Sequence, residues 1–89
     1  MKAIVSVFAK DAKGIIAYIT AFLAETGINV LDISQTLMQE YFTMIMLVDL
    51  NDCTLPFDEL REKLEQIGRE RGLAVHIQRQ DIFDAMHKI

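Results

Sequence analysis

Residues Lys10 to Gln35 read KDAKGIIAYITAFLAETGINVLDISQ, a polar turn, an unusually apolar helix and a strand in immediate succession. Gly14 gives the turn backbone freedom and leaves room for close approach to the main chain. Asp11 is placed to cap the helix that follows. Over about Gly14 to Thr26, Ile15, Ile19, Phe22 and Leu23 share one stripe at the i, i+4, i+7, i+8 spacing of a core-facing side. The other side carries Ala17, Tyr18, Thr20, Ala21 and Ala24, and Glu25 is the only ionised residue between Gly14 and Gly27. A solvated face would hold several charges, so this helix is expected to pack on both sides, with its alanines allowing another helix close. Gly27 ends it from the C′ position.

The strand after Gly27 spans Ile28 to Met38, with Val30 facing one way and Leu31, Ile33 and Leu37 the other. Gln39-Glu40 is a short connection, and Tyr41 to Leu50 returns as a second strand. There Phe42, Met44, Met46, Val48 and Leu50 alternate against Tyr41, Thr43, Ile45, Leu47 and Asp49. The two predict an antiparallel hairpin. Upstream, Lys2 to Ala9 (KAIVSVFA) is short and β-branched, which reads as a central strand buried on both faces.

Downstream, Pro56 suits the first position of a helix running to about Arg71, capped near Thr54 or Leu55. Phe57, Leu60, Leu64 and Ile67 form a narrow stripe on it, and the rest is densely charged. Glu59 with Lys63 and Glu65 with Arg69 stand at i, i+4, and Arg69 and Arg71 complement the dipole in the last turn. This ordinary solvent-facing helix is an internal control for the first, and the contrast argues for an interface. After Gly72, Leu73 to Gln80 alternates with Leu73, Val75 and Ile77 inward and His76, Gln78 and Gln80 outward, as an edge strand does. The tail from Asp81 places Ile82, Phe83, Met86 and Ile89 on one helical stripe, expected to dock on the second face of the sheet.

Two right-handed strand-helix-strand units in this order predict an α+β, ferredoxin-like βαββαβ sandwich: a four-stranded antiparallel sheet with two helices on one face and a short C-terminal helix. Residues 1–89 are expected to form one domain, with 1–81 as the core and 82–89 as the tail. At 52% hydrophobic and 25% charged, the chain is apolar for its size, and small domains gain from oligomerisation. A net charge of −4 and no basic run argue against a nucleic-acid partner. No apolar run approaches the ~18 residues of a membrane span. The single Cys53 and the lack of a secretory pattern point to the cytoplasm.

At Asp11-Ala12-Lys13-Gly14-Ile15, followed by Leu23-Ala24-Glu25-Thr26-Gly27-Ile28-Asn29-Val30, the chain resembles the ACT domain, the amino-acid-sensing module, in its small stand-alone forms. These include relatives of the ACT-type repressor of the glycine cleavage system. The resemblance implies a dimer with first helices and sheets side by side and regulatory binding of an amino acid in the seam. On matching positions, ligand contacts fall to Asp11, Lys13, Gly14 and Ile15 of one chain and Asn29 of the other. Lys13 stands where the family usually has proline, which replaces a φ-fixing residue by a mobile charge.

The chemistry is consistent with that. Free N–H groups at the start of the first helix would bind a carboxylate, Asp11 an ammonium group, and Asn29 offers donor and acceptor together. The alternative roles are plain: Asp11 as a cap, Gly14 as a turn residue, Asn29 as the residue after a helix end, Asp32 as a solvent-facing edge residue. Catalytic readings are thin. Cys53 has no histidine near it in sequence, His76 falls on a wet face, and Asp84 with His87 supply only two metal ligands. The expectation is therefore a non-enzymatic regulator with no cofactor or metal. The alternative is a protein-interaction module with no small-molecule ligand, binding a partner through the tail around Phe83 and Met86.

Overall fold

The computed structural model describes residues 1–10 and 14–86. The elements are β1 (Lys2–Ala9), α1 (Ile15–Glu25), β2 (Asn29–Met38), β3 (Tyr41–Asp49), α2 (Phe57–Arg71), β4 (Ala74–Arg79) and α3 (Gln80–Met86). The four strands form one antiparallel sheet in the order β2-β3-β1-β4, the ferredoxin-like arrangement expected from the βαββαβ order. β1 is central, flanked by β3 (Val5 opposite Met46) and β4 (Val5 opposite Ile77).

The two long helices close in the same way. Gly27 and Gly72 take left-handed φ angles of 79° and 70°. The next N–H then reaches back five residues, from Ile28 to the Leu23 carbonyl and from Leu73 to the Gly68 carbonyl, at 2.9 Å each. This is the 6→1 bond of a Schellman motif, and it turns each helix directly into the following strand.

One layer of apolar residues fills the space between sheet and helices. Ala3, Val5 and Val7 from β1, Phe42, Met44, Met46 and Val48 from β3, Val75 and Ile77 from β4, Ile19 and Leu23 from α1, and Leu60, Leu64 and Ile67 from α2 make up its bulk. The alternation expected for β3 and β4 and the stripes expected for both helices are the ones buried. Removing each large side chain from water stabilises the fold by roughly 1.5–3 kcal/mol. Leu64 and Met46, both wholly buried, gain the full amount.

Several local expectations are corrected. The N-cap of α1 is Gly14 (φ 78°, ψ −14°), which has no side chain to cap with, so the cap position does not fall on Asp11; Asp11 and Lys13 lie outside the described residues. Pro56 is the N-cap of α2, not its first helical residue, because extended backbone (φ −60°, ψ 153°) leads into the helix there. The i, i+4 pairs on α2 are not closed. Asp58 and Arg61 pair at 3.5 Å instead, and Gln66 donates to Glu70 at 3.0 Å. β1 is buried on its helix face only; on the other face Ile4 and Ser6 are half-buried and Phe8 is exposed.

The largest correction concerns β2. Val30 pairs with Val48 but Asp32 with Leu47, so Leu31 is the extra residue of a β-bulge. The bulge returns Ile33 (opposite Met46) and Leu37 (opposite Phe42) to the helix side, the same side as Val30 and not the opposite one. α3 follows β4 without a loop and lies beside β1 and β4, with Ile82 exposed. The expectations on the side chains of Phe83 and Met86, and on His87 and Ile89, fall outside what is described.

Candidate functional site

The sheet order leaves two edges, and they differ. β4 is a six-residue edge, whereas β2 presents a ten-residue edge that no other strand among the described residues pairs with. Long apolar edges are templates for another strand. Along β2, Leu31 and Ile33 are exposed, and Leu37 and Met38 remain 71% and 68% accessible. α2 packs on the β4 side, so α1 occupies the β2 side of the same face. The side of α1 away from the core exposes Ala17, Tyr18, Ala21 and Ala24 with no charge among them. Tyr18 turns toward α2, with the Arg71 guanidinium 3.6 Å over its ring, so the uncharged part of the α1 face is Ala17, Ala21 and Ala24, and Asp32 is the one charged residue on the β2 edge.

Gly14 is exposed at the start of α1, and a Cβ built on it would meet nothing within 4 Å. No acidic residue sits in the first turn of α1, so the positive end of the helix is not neutralised by its own side chains. Ile15 is half-buried and packs against the core, which leaves its backbone N–H as the group that could meet a ligand. Asn29 is exposed at the first position of β2, opposite Asp49. Gly14 and Asn29 lie at opposite ends of α1, whose eleven residues span about 16 Å. A single chain does not bring them together.

Asp32 is exposed on the edge strand, where its carboxylate accepts the N–H of Ile33 at 2.8 Å. Cys53 is half-exposed in the turn before α2, and His76 is exposed on β4. Among the described residues no group of three or more His, Cys, Asp or Glu is arranged to hold a metal. No helix among them is long and apolar enough to cross a membrane. The bulge at Leu31 was the feature of the edge missed by periodicity. Its signal was present in Val30-Leu31-Asp32-Ile33, where two adjacent apolar residues break the alternation.

The ACT domain family model matches residues 2–78. A UPF0237 protein of Clostridium acetobutylicum is 49% identical over 89 residues, covering all of both chains. Among solved structures, an ACT domain protein from Streptococcus pneumoniae superposes with a TM-score of 0.82 at 42% identity, over 94% of each chain. A protein described as a glycine cleavage system transcriptional repressor shares the fold at a TM-score of 0.72 and 16% identity, over 86% of this chain and 44% of its own. The family match over most of the chain, together with the Gly14 turn, the Gly27-Ile28-Asn29 junction and the sheet order, places this protein in the ACT domain family.

Proposed function

We propose that the protein is a non-enzymatic regulator that binds a small molecule, an amino acid by class, in the seam between two copies joined through their β2 edges. The observation that carries this is the long β2 edge, free of a strand partner among the described residues and with Leu31, Ile33, Leu37 and Met38 exposed, beside Ala17, Ala21 and Ala24 of α1. Antiparallel pairing of two β2 strands about a two-fold axis would extend each sheet and bring the two α1 helices side by side. It also resolves the separation of the candidate residues. β2 ends, at Met38 opposite Tyr41, at the same end of the sheet where β1 delivers the chain to Gly14. Antiparallel pairing lays the Asn29 end of one β2 against the Met38 end of the other, and so carries Asn29 of one copy toward Gly14 of its partner.

The site so formed has complementary parts. The free N–H groups of Ile15 and its neighbours face a ligand carboxylate, and the open backbone at Gly14 admits it. The Asn29 amide both donates and accepts, and the resemblance assigns Asp11 and Lys13 to the same site. Members of the family act as sensors, and the repressor that shares this fold is itself a regulator, an analogy at the level of fold. A cytoplasmic location goes with this role.

Calorimetric titration of the protein against the twenty amino acids tests the proposal. At least one is expected to bind saturably with one site per chain, and Asn29→Ala to weaken it by about tenfold, the worth of one well-made polar contact. Heat-silent titrations throughout would leave the seam without a ligand and favour a pure interaction module.

A further inference from the structure

Away from the β2 edge, an open groove of about 380 Å³ wraps over the end of β1, between β3, β4 and the last turn of α2. Its aromatic wall is a stacked pair, Phe8 and Tyr41, with ring centroids 6.1 Å apart and planes 25° from parallel. Both rings sit on the face of the sheet away from α1 and α2, and Phe8 is 52% exposed. The register explains why one side of Phe8 stays bare. On β3 its direct neighbour is Thr43, with Tyr41 on the diagonal; on β4 its direct neighbour is Ala74, which offers only a methyl group. The stack therefore runs Tyr41, Phe8, and then a gap above Ala74 that is itself exposed.

Two cations border the same groove, Lys10 and Arg69, in a chain whose net charge is −4. Lys10 meets Glu40 at 3.9 Å with both side chains largely exposed, an ion pair of little strength. Arg69 has no hydrogen-bond or ion-pair partner among the described residues, although Glu65 lines the adjoining groove. Gly72 lines the groove without a side chain to fill it.

We propose that this groove is a second ligand site, taking a small aromatic anion whose ring continues the Tyr41–Phe8 stack over Ala74 and whose anionic group lies between Lys10 and Arg69. Ring on ring and anion on guanidinium are the two contacts the groove is built to make. The site uses one chain only and stands independently of the seam.

Amide correlation spectra of the full chain, titrated with 1-naphthoate and with 1-naphthyl phosphate, test the site. Cyclohexanecarboxylate and inorganic phosphate serve as controls. Saturable shifts are expected at Phe8, Lys10 and Gly72 to Ala74 with both naphthyl probes, and the tighter probe tells whether a carboxylate or a phosphate is preferred. The controls are expected to bind at least about tenfold more weakly. Ala74→Leu fills the gap and is expected to abolish the shifts, and Arg69→Gln to weaken them about fivefold or more with the rest of the spectrum native. Should Ala74→Leu fail to fold, Arg69→Gln decides. Absence of saturation at about 10 mM, shifts centred on Gly14 and Asn29, or affinity untouched by the folded variants would each overturn the proposal.

Discussion

Replacing Gly27 by alanine is expected to destabilise the protein by about 3 kcal/mol, lowering the thermal midpoint by roughly 10–20 °C. Two costs add at this position. The residue holds φ 79°, and a left-handed conformation costs an L-residue roughly 1–2 kcal/mol. A Cβ there would also be driven into the backbone carbonyl oxygen of Asp52, inside contact distance and with no flexible side chain to yield. Overpacking of this kind costs about 1–3 kcal/mol. The neighbourhood is tied down as well. The Thr54 N–H donates to the Thr26 carbonyl at 2.9 Å, and the Thr26 hydroxyl bonds the Phe22 and Leu23 carbonyls at 3.0 Å. Gly14→Ala is the internal control. It has nearly the same φ but open space around the new methyl, so only the conformational cost, roughly 1–2 kcal/mol, remains. Urea unfolding followed by circular dichroism, with all variants at one protein concentration, measures both. Equal losses at the two glycines would show that the Asp52 contact relaxes at no cost.

The second large effect is on assembly. Leu37→Lys is expected to raise the dimer dissociation constant by about a hundredfold, equivalent to about 2.8 kcal/mol. Leu37 is 71% exposed in the single chain, so the fold of one copy does not depend on it. A lysine on a sheet edge is the device by which edges are kept from pairing, since its charge would have to be desolvated in the seam. Sedimentation equilibrium reads the result directly, as a shift from twice 10.2 kDa toward 10.2 kDa at micromolar concentration. Glu62→Lys, exposed on α2, introduces the same residue away from the edge and is expected to leave the mass unchanged. A wild-type chain that sediments as a monomer would remove the seam altogether.

The architecture was legible because period and punctuation agreed. The stripe Ile15, Ile19, Phe22 and Leu23, the alternation from Phe42 to Val48, and the two glycines that end α1 and α2 all pointed to one element order, and the sheet has the order they imply. What escaped was set by single-residue geometry or by neighbours distant in sequence. One extra residue at Leu31 moves Ile33 and Leu37 to the other face, an effect that residue types signal only weakly. Phe8 reads as buried from its β-branched context, yet it is exposed because its neighbour on β4 is Ala74, a residue distant in sequence that offers only a methyl group. The charges on α2 were placed correctly, but which of them pair is decided by rotamers, and Asp58 chose Arg61. At the candidate site the resemblance named residues, and the structure added that Gly14 and Asn29 stand at opposite ends of α1 within one chain.

That last point makes the central claim, a ligand site shared between two chains, open to one decisive measurement. Gly14→Val blocks the approach to the start of α1, and Asn29→Ala removes the amide; each homodimer is then impaired at both of its sites. A heterodimer of the two variants, isolated by a different tag on each chain, has one ligand site with both defects and one with neither. Titrated with the amino acid that binds the wild type, it is expected to take up one ligand per dimer at wild-type affinity. A heterodimer that binds no better than either parent would contradict the shared site.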